Sequence, residues 1–230
     1  MIIAIDGPSG AGKSTLGRML ARALDLLYID TGSMYRAVAL AVLESSVNAT
    51  DDLAVGSLAA RLDIDLKGDP DSLTVTLDNR DVTEEIRSEE VTYTSSVIST
   101  IPAVRSAMVE RQREMGRRGA VLNGRDIGTV VFPDADVKFF LTASPEERAQ
   151  RRFTEEQRTQ DSNASFEETL ADMNERDRRD STRVDSPLRA ADDAVVIDST
   201  GLSIQEVLER MMAVVREKAG QSRRDTEARR

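Results

Sequence analysis

The fold is decided by the stretch Gly7-Pro8-Ser9-Gly10-Ala11-Gly12-Lys13-Ser14-Thr15, which directly follows the apolar run Ile2-Ile3-Ala4-Ile5. A loop of the form G-x-x-x-x-G-K-[ST] between a strand and a helix binds the phosphates of a nucleoside triphosphate. Backbone N–H groups converge on the phosphate oxygens, and the helix that follows directs its positive dipole at them. Lys13 adds a point charge, and Ser14 is suited to ligate Mg²⁺. We therefore predict that residues 7–15 bind a nucleoside triphosphate.

The composition excludes several classes of protein. The chain has 230 residues and a formal net charge of -10 at pH 7. This charge disfavours nucleic-acid binding, which rests on Lys and Arg that neutralise phosphates. The chain has no Cys and no His, which excludes disulfides, Cys-ligated metals and Ser-His-Asp or Cys-His catalysis. No apolar run approaches the length of a bilayer span, and Met1 leads straight into the first strand, so we expect a cytoplasmic protein without a membrane partner.

Hydrophobic patterning predicts an α/β fold. Strand-like apolar runs occur at residues 2–5, 26–29, 120–122, 137–141 and 194–197, with amphipathic stretches between them. This alternation predicts a five-stranded parallel sheet with helices on both faces. Ser144, Ser165 and Ser203 each precede a Glu by three positions, which predicts that a helix begins at each. Alternating residues at 62–66 and 73–77 flank a turn-prone segment and predict a small antiparallel β insert.

Two polar segments that follow predicted strands are candidates for a second binding site. They are Asp30-Thr31-Gly32-Ser33-Met34-Tyr35-Arg36 and Asn123-Gly124-Arg125-Asp126-Ile127-Gly128-Thr129. Ligands of open α/β sheets bind at the carboxyl ends of the strands, and an arginine can grip a phosphate with two N–H groups. In the alternative interpretation, Asp30 only caps backbone amides and Arg125 pairs only with Asp126.

Two clusters of charge follow later in the chain. The first comprises Arg176, Arg179, Asp180 and Arg183, which are spaced to share one face of a helix. Like charges gathered in this way favour a polyanionic ligand. The second comprises Arg148, Arg151, Arg152 and Arg158, and a mobile segment that carries these arginines would close over the triphosphate. A solvated charged face is the alternative for both clusters, and the polar stretch from Glu217 to Arg230 is predicted to be a frayed end.

Taken together, these segments resemble the bacterial cytidylate kinase family. The resemblance runs in order from Met1 to about Lys218 and is carried by Gly7 to Thr15, Asp30 to Arg36, Asn123 to Pro133 and Glu175 to Arg183. It implies a P-loop nucleoside monophosphate kinase fold, with a single domain at residues 1–218 and a polar tail at 219–230. Within the domain it implies a monophosphate-binding region with the β insert at about 31–100 and a lid at about 148–165. The implied reaction moves the γ-phosphoryl group of ATP to CMP or dCMP, with Mg²⁺.

The resemblance also implies roles for individual residues. The implied catalytic residues are Lys13, Arg36, Arg125 and Arg183, and Ser14 is the implied metal ligand. ATP would be bound by Gly7, Pro8, Ser9, Gly10, Ala11, Gly12, Lys13, Ser14, Thr15, Arg148 and Arg152. The monophosphate would be bound by Asp30, Thr31, Arg36, Ser96, Arg105, Arg125, Asp126, Arg176, Asp180 and Arg183. Of these, Ser96, Arg105 and Asp126 would contact the cytosine, Arg176 and Asp180 the ribose, and Thr31, Arg36, Arg125 and Arg183 the phosphate.

The chemistry of the base agrees with this assignment. A carboxylate such as Asp126 accepts a hydrogen bond from the cytosine amino group, whereas uracil presents a carbonyl oxygen there. A kinase for UMP, AMP or shikimate remains an alternative, and it would differ around Ser96, Arg105 and Asp126. A regulatory P-loop NTPase is disfavoured, because the chain has no Asn-Lys-x-Asp motif and many acceptor-side arginines. We expect a monomer whose partners are ATP and CMP or dCMP.

Overall fold

Two sheets organise the computed structural model, which describes residues 1–159 and 164–228. The strands are β1 (Ile2–Asp6), β2 (Leu27–Asp30), β3 (Ile64–Lys67), β4 (Thr74–Leu77), β5 (Arg80–Asp81), β6 (Ala120–Asn123), β7 (Val137–Thr142) and β8 (Val195–Asp198). One sheet has the order β2-β6-β1-β7-β8 and is parallel throughout. The other is antiparallel with the order β3-β4-β5. Both the predicted parallel sheet and the predicted β insert are confirmed.

Helices connect the strands. They are α1 (Lys13–Leu24), α2 (Thr31–Glu44), α3 (Asp52–Arg61), α4 (Glu89–Ile98), α5 (Pro102–Gly116), α6 (Pro145–Thr159), α7 (Phe166–Thr182) and α8 (Ile204–Ala228). A 3₁₀ turn spans Glu85–Arg87, and a π-helical turn spans Ile127–Val131. Ser165 forms the predicted capping box with Glu168, and Ser203 exchanges the same two contacts with Glu206. Among the described residues, no helix is both long and apolar enough to cross a membrane.

The parallel sheet buries a separate core on each face. Successive side chains of a strand point to opposite faces, so Ile3 and Ile5 of β1 join one core and Ala4 joins the other. The first core includes Leu16 and Leu20 of α1 and Val207, Met211 and Val215 of α8. The second core includes Val38 of α2 and Val104 and Met108 of α5. Helices therefore cover both faces of the sheet, as predicted.

The end of α7 agrees with the predicted spacing of its charged residues. The helix ends at Thr182, and Arg183 is its C-cap, with a helical φ of -62° and an N–H that donates to the carbonyl of Arg179. The extended ψ of 143° redirects only the chain that follows, because the direction of a side chain does not depend on ψ. The Arg183 guanidinium therefore lies near Asp180, three residues back on the same face, and also approaches Asp126.

The predicted tail and lid both involve helices. Residues 217–228, within the stretch predicted to be a frayed end, continue α8 as far as Ala228. The predicted lid at about 148–165 includes residues 148–159 of α6, and its residues 160–163 lie outside the described part of the chain. Phe153 of α6 meets Phe166 of α7 edge to face, with 6.2 Å between the ring centroids. This contact joins α6 and α7 beside the phosphate loop.

Candidate active site

The carboxyl ends of three adjacent strands bring the polar residues together. β2, β6 and β1 are neighbours in the parallel sheet, and Asn123 at the end of β6 is in register with Asp30 on one side and Ile5 on the other. Asp6 follows Ile5 and ends β1. The loop at residues 7–12, α2 and the segment after Asn123 therefore all leave the sheet at one edge. This edge is where ligands of open α/β sheets bind.

The phosphate loop has the backbone that its glycines predict. Gly12 is the N-cap of α1 and has a left-handed backbone with φ 87°. Gly7 has φ +145°, and a Cβ there would lie 2.0 Å from the carbonyl oxygen of Leu141. Only glycine fits these two positions without strain. Lys13 is 7% exposed, and its Nζ donates to the carbonyl of Pro8 at 2.6 Å. Burial and the nearby Arg125 lower the pKa of Lys13 well below its ordinary value.

Ser14 and Asn123 have the chemistry of a magnesium site. The Nδ2 of Asn123 donates to the Oγ of Ser14 at 3.0 Å. The Oδ1 of Asn123 is buried and has no hydrogen-bond partner among the described residues. An orphan amide oxygen beside a P-loop hydroxyl provides the hard oxygen donors that Mg²⁺ prefers. Since the described residues contain no group of three or more Asp or Glu that could hold a metal, a bound Mg²⁺ would rely on the nucleotide phosphates for its other ligands.

Asp30 and Arg36 meet at the start of α2. The Oδ1 of Asp30 accepts the N–H of Gly32 at 3.1 Å, so Asp30 is the N-cap that one interpretation predicted. Its other oxygen, Oδ2, accepts from the hydroxyl of Ser33 at 2.9 Å, and the guanidinium of Arg36 lies 3.5 Å away. The hydroxyl of Thr31 donates to the carbonyl of Asn123 at 2.7 Å. Asp30 thus orients Arg36 toward the edge of the sheet while it caps the helix.

Arg125 and Arg176 are the centre of a cluster of positive charge. Arg125 does not pair with Asp126, because its Nε donates to Asp180 at 2.8 Å. Burial would raise the pKa of Asp180, but Arg125 and Arg176 hold it below its ordinary value. Burial lowers the pKa of Arg176 to about 10, and Arg125 acts in the same direction. Arg36 and Arg152 also repel Arg176, whereas the carboxylate of Asp180 attracts it. The cluster has an excess of positive charge that an anion would offset.

A second buried group surrounds Asp126. Its Oδ2 accepts from the guanidinium of Arg105, which also lies over the ring of Tyr35 at 5.9 Å from the centroid. The Nη2 of Arg183 lies 3.9 Å from Asp126 Oδ1. Burial and the neighbouring Arg105 lower the pKa of Arg183. Arg105, Asp126 and Arg183 are 3%, 6% and 9% exposed, so the structure brings together three residues that the sequence assigned to one pocket.

Ser96 and Arg179 connect this pocket to α7. Ser96 of α4 is buried, and its hydroxyl accepts from the Nη1 of Arg179 at 3.1 Å. The guanidinium of Arg179 also lies over the exposed ring of Tyr93, 5.7 Å from the centroid. Arg179 therefore faces α4, and it does not join Arg176 in the charge cluster that the helix spacing predicted.

Arg148 and Arg152 differ in their surroundings. Arg148 is 5% exposed, and its guanidinium donates to the carbonyl of Ser9 at 3.0 Å and to Asp177 at 2.5 Å. Arg148 thus contacts the backbone of the phosphate loop through Ser9, and its predicted contact with ATP stays a prediction. Arg152 is more exposed and donates to Glu156 at 2.5 Å, one turn along α6. The positive charge of Arg152 nevertheless helps to lower the pKa of Arg176.

Three residues with contacts at the site were given no individual role in the sequence analysis, although Asn123 lies in one of the candidate segments. Asp6 accepts the N–H groups of Ile127 and Gly128, Asn123 contacts Ser14, and Asp177 holds both Arg148 and the N–H of Ser9. The position of Asp6 and Asn123 at the ends of strands was a usable signal, because strand ends line the ligand edge. The sequence carried no comparable signal for Asp177, whose partners are 29 and 168 residues away.

Comparisons with known proteins agree with this geometry. The family model described as Cytidylate kinase matches residues 3–217. The cytidylate kinase of Geobacter sp. (strain M21) is 50% identical over 96% of this chain and 95% of its own length. That of Geobacter sulfurreducens is 50% identical over 95% of this chain and 94% of its own.

A more distant relative, that of Rhodococcus jostii, is 46% identical over 96% of both chains. A crystal structure of an uncharacterized protein from Eubacterium ventriosum superposes with a TM-score of 0.53 over 94% of this chain and 98% of that chain. At 11% identity that likeness shows the fold alone. The phosphate loop, the charged edge of the sheet and the match across residues 3–217 lead to one conclusion: the chain belongs to the cytidylate kinase family of ATP-dependent nucleoside monophosphate kinases.

Proposed function

We propose that this protein transfers the γ-phosphoryl group of ATP to CMP or dCMP and acts as a cytoplasmic monomer. The observation that carries the proposal is the cluster of Lys13, Arg125 and Arg176 at the carboxyl ends of the strands. Arg125 and Arg176 both lower the pKa of Lys13. Three cations that repel one another in a partly buried site are stabilised when polyanions bind between them.

The two phosphates are assigned to opposite sides of this cluster. We assign the triphosphate to residues 7–15, because their N–H groups and Lys13 lie at the N-terminus of α1. The acceptor phosphate is assigned to Arg36, Arg125 and Arg183, which enter from α2, from the end of β6 and from the end of α7. The Nη2 of Arg183 is buried and lacks a hydrogen-bond partner within the described residues, so it is available to a phosphate oxygen.

The cytosine is assigned to Asp126, Arg105 and Ser96. Asp126 Oδ2 is held by Arg105, and its Oδ1 is left to accept from the amino group of the base. Uracil would place a carbonyl oxygen opposite this carboxylate, and the two acceptors would repel. The ribose is assigned to Arg176 and Asp180. We propose Arg152 as the residue of α6 that approaches the triphosphate and Arg148 as a support for the loop.

Charge neutralisation and alignment are what the residues contribute to the reaction. The acceptor phosphate is already anionic near neutral pH, so the transfer requires no strong general base. Lys13 binds the β- and γ-phosphates, and Arg125 lies between donor and acceptor, where it offsets the charge that develops on the transferred group. Mg²⁺, held through Ser14 and Asn123, would neutralise charge on the β- and γ-phosphate oxygens when bound. The arginines hold the two anions in line.

Initial rates with a panel of nucleoside monophosphates test the proposal. With ATP and Mg²⁺, ADP release should be fast with CMP and dCMP, slow with UMP and nearly absent with AMP and GMP. A Mg²⁺ titration of the same reaction should show that activity requires the metal. Equal kcat/KM values for CMP and AMP would contradict the assignment of the base pocket.

Replacement of Asp126 tests the recognition of the base. In Asp126→Asn the carboxylate becomes an amide that also donates, so kcat/KM for CMP should fall and the preference for CMP over UMP should narrow. Loss of one charge-assisted hydrogen bond costs about 1.5 to 3 kcal/mol, or roughly 10- to 150-fold. Asp134→Asn is the matched control, because Asp134 is exposed in the same connection. A CMP preference in Asp126→Asn as large as that of the parent protein would show that the base lies elsewhere.

A further inference from the structure

Asp6 fixes the backbone of the segment that carries Arg125 and Asp126. One carboxylate oxygen accepts the N–H of Ile127 and the other accepts that of Gly128, each at 2.8 Å. Asp6 is 4% exposed, so water does not replace these contacts. Ile127 and Gly128 begin the π-helical turn that directly follows Asp126. The buried carboxylate of Asp6, directly before the phosphate loop, thus holds the backbone that follows Asp126 close to the start of that loop.

We propose that Asp6 is a positioning residue for the acceptor nucleotide, because its ionised carboxylate sets where Arg125 and Asp126 lie relative to the phosphate loop. This inference rests on the proposed function. A carboxylate offers an acceptor oxygen to each of two N–H groups, whereas a protonated carboxyl or an amide offers one acceptor and one donor. Loss of the charge would therefore leave one buried N–H facing a donor and displace the turn after Asp126.

The surroundings of Asp6 determine the pH range in which its carboxylate gains a proton and loses its charge. Burial raises the pKa of Asp6 to about 6, although the hydrogen bonds from the backbone N–H groups of Ile127 and Gly128 act in the opposite direction. Among the charged groups, Asp126 raises the pKa and Lys13 of α1 lowers it. Lys138 of β7 lies beside Gly128, where a Cβ would be 3.1 Å from its Cδ. Asp6 is therefore mainly ionised at pH 7.5 and mainly protonated at pH 5.5.

Steady-state kinetics of Asp6→Asn test the proposal. At pH 7.5 we expect kcat/KM for CMP to fall about 10- to 100-fold while the KM for ATP stays within about twofold of the parent value, because one charge-assisted backbone contact is lost on the acceptor side only. Asp69→Asn is the matched control. Asp69 also accepts two backbone N–H groups, from Asp71 and Ser72, but it is exposed in the β insert. Its kinetics should match those of the parent protein.

A pH series separates positioning from a structural role. Asn resembles a protonated Asp, so the parent protein should approach Asp6→Asn as the pH falls. If the pKa of Asp6 is about 6, the kcat/KM of the parent protein for CMP, divided by that of Asp6→Asn, should decrease about fourfold between pH 7.5 and 5.5. The titration of the CMP phosphate cancels in this ratio. A constant ratio, equal losses for ATP and CMP, or parental kinetics in Asp6→Asn would each overturn the proposal.

The parent protein supplies a measurement that remains valid if Asp6→Asn does not fold. The amide proton resonances of Ile127 and Gly128 should titrate with a midpoint near pH 6. Amides of Ile127 and Gly128 that do not titrate between pH 5 and 7.5 would overturn the proposal. Absence of CMP phosphorylation by the parent protein would instead contradict the proposed function, which distinguishes the two failures.

Discussion

Lys13→Ala should lower the rate of phosphoryl transfer by about 100- to 1,000-fold while the protein stays folded. The loss follows because a single donor to the charge that develops in the transition state contributes about two to three orders of magnitude. The fold should tolerate the change, since burial and Arg125 make the charged form of Lys13 unfavourable in the folded state. The melting temperature of Lys13→Ala should therefore equal or exceed that of the parent protein.

Lys67→Ala is the matched control for this experiment. Lys67 is exposed at the end of β3 and pairs with Asp65, so its loss should change neither activity nor stability. A folded Lys13→Ala protein with near-parental kcat would mean that the phosphate loop does not bind the transferred phosphoryl group.

Arg183→Ala should reduce kcat/KM for CMP by about two orders of magnitude and leave the KM for ATP within about threefold. Arg183 is buried between Asp126 and Asp180, and its Nε donates to the carbonyl of Ser186 at 2.6 Å. Removal of the guanidinium would delete the two-pronged phosphate contact that we propose and would leave both carboxylates without one cation. Arg183→Lys should recover only part of the activity, because an ammonium does not reproduce the planar fork.

Arg178→Ala provides the comparison within the same charged run. The side chain of Arg178 is 64% exposed and contacts Glu175, one turn back on α7. Its replacement should change kcat/KM for CMP by less than about twofold, as expected for an exposed ion pair. Similar losses in Arg178→Ala and Arg183→Ala would show that this end of α7 does not line the acceptor site.

The sequence predicted the sheet because each buried strand is a local apolar run. Ile2–Asp6 is followed by Gly7 and Pro8, and Val137–Thr142 lies between Pro133 and the helix cap Ser144, so their pattern is readable without knowledge of the fold. The phosphate loop was also predicted, because the residues that form it are consecutive in the sequence. The capping boxes at Ser165 and Ser203 are equally local and were predicted correctly.

The contacts between distant segments could not be predicted in the same way. Helical spacing places Arg183 near Asp180, but its approach to Asp126 depends on how α7 packs against a distant segment. The burial of Arg148 depends on Ser9 and Asp177, which lie in other parts of the chain. No role was predicted for Asp6, because its partners at Ile127 and Gly128 are 121 and 122 residues away. These residues act through tertiary packing, which a single sequence does not specify.

Phosphorus NMR of the complete reaction tests the central claim most directly. The parent protein, mixed with ATP, Mg²⁺ and CMP, should produce resonances of ADP and CDP at equal rates, and no ADP should form at a comparable rate without CMP. This result would establish that the γ-phosphoryl group passes from ATP to CMP. Formation of ADP and inorganic phosphate without CDP would contradict the account, because the site would then be that of an NTPase.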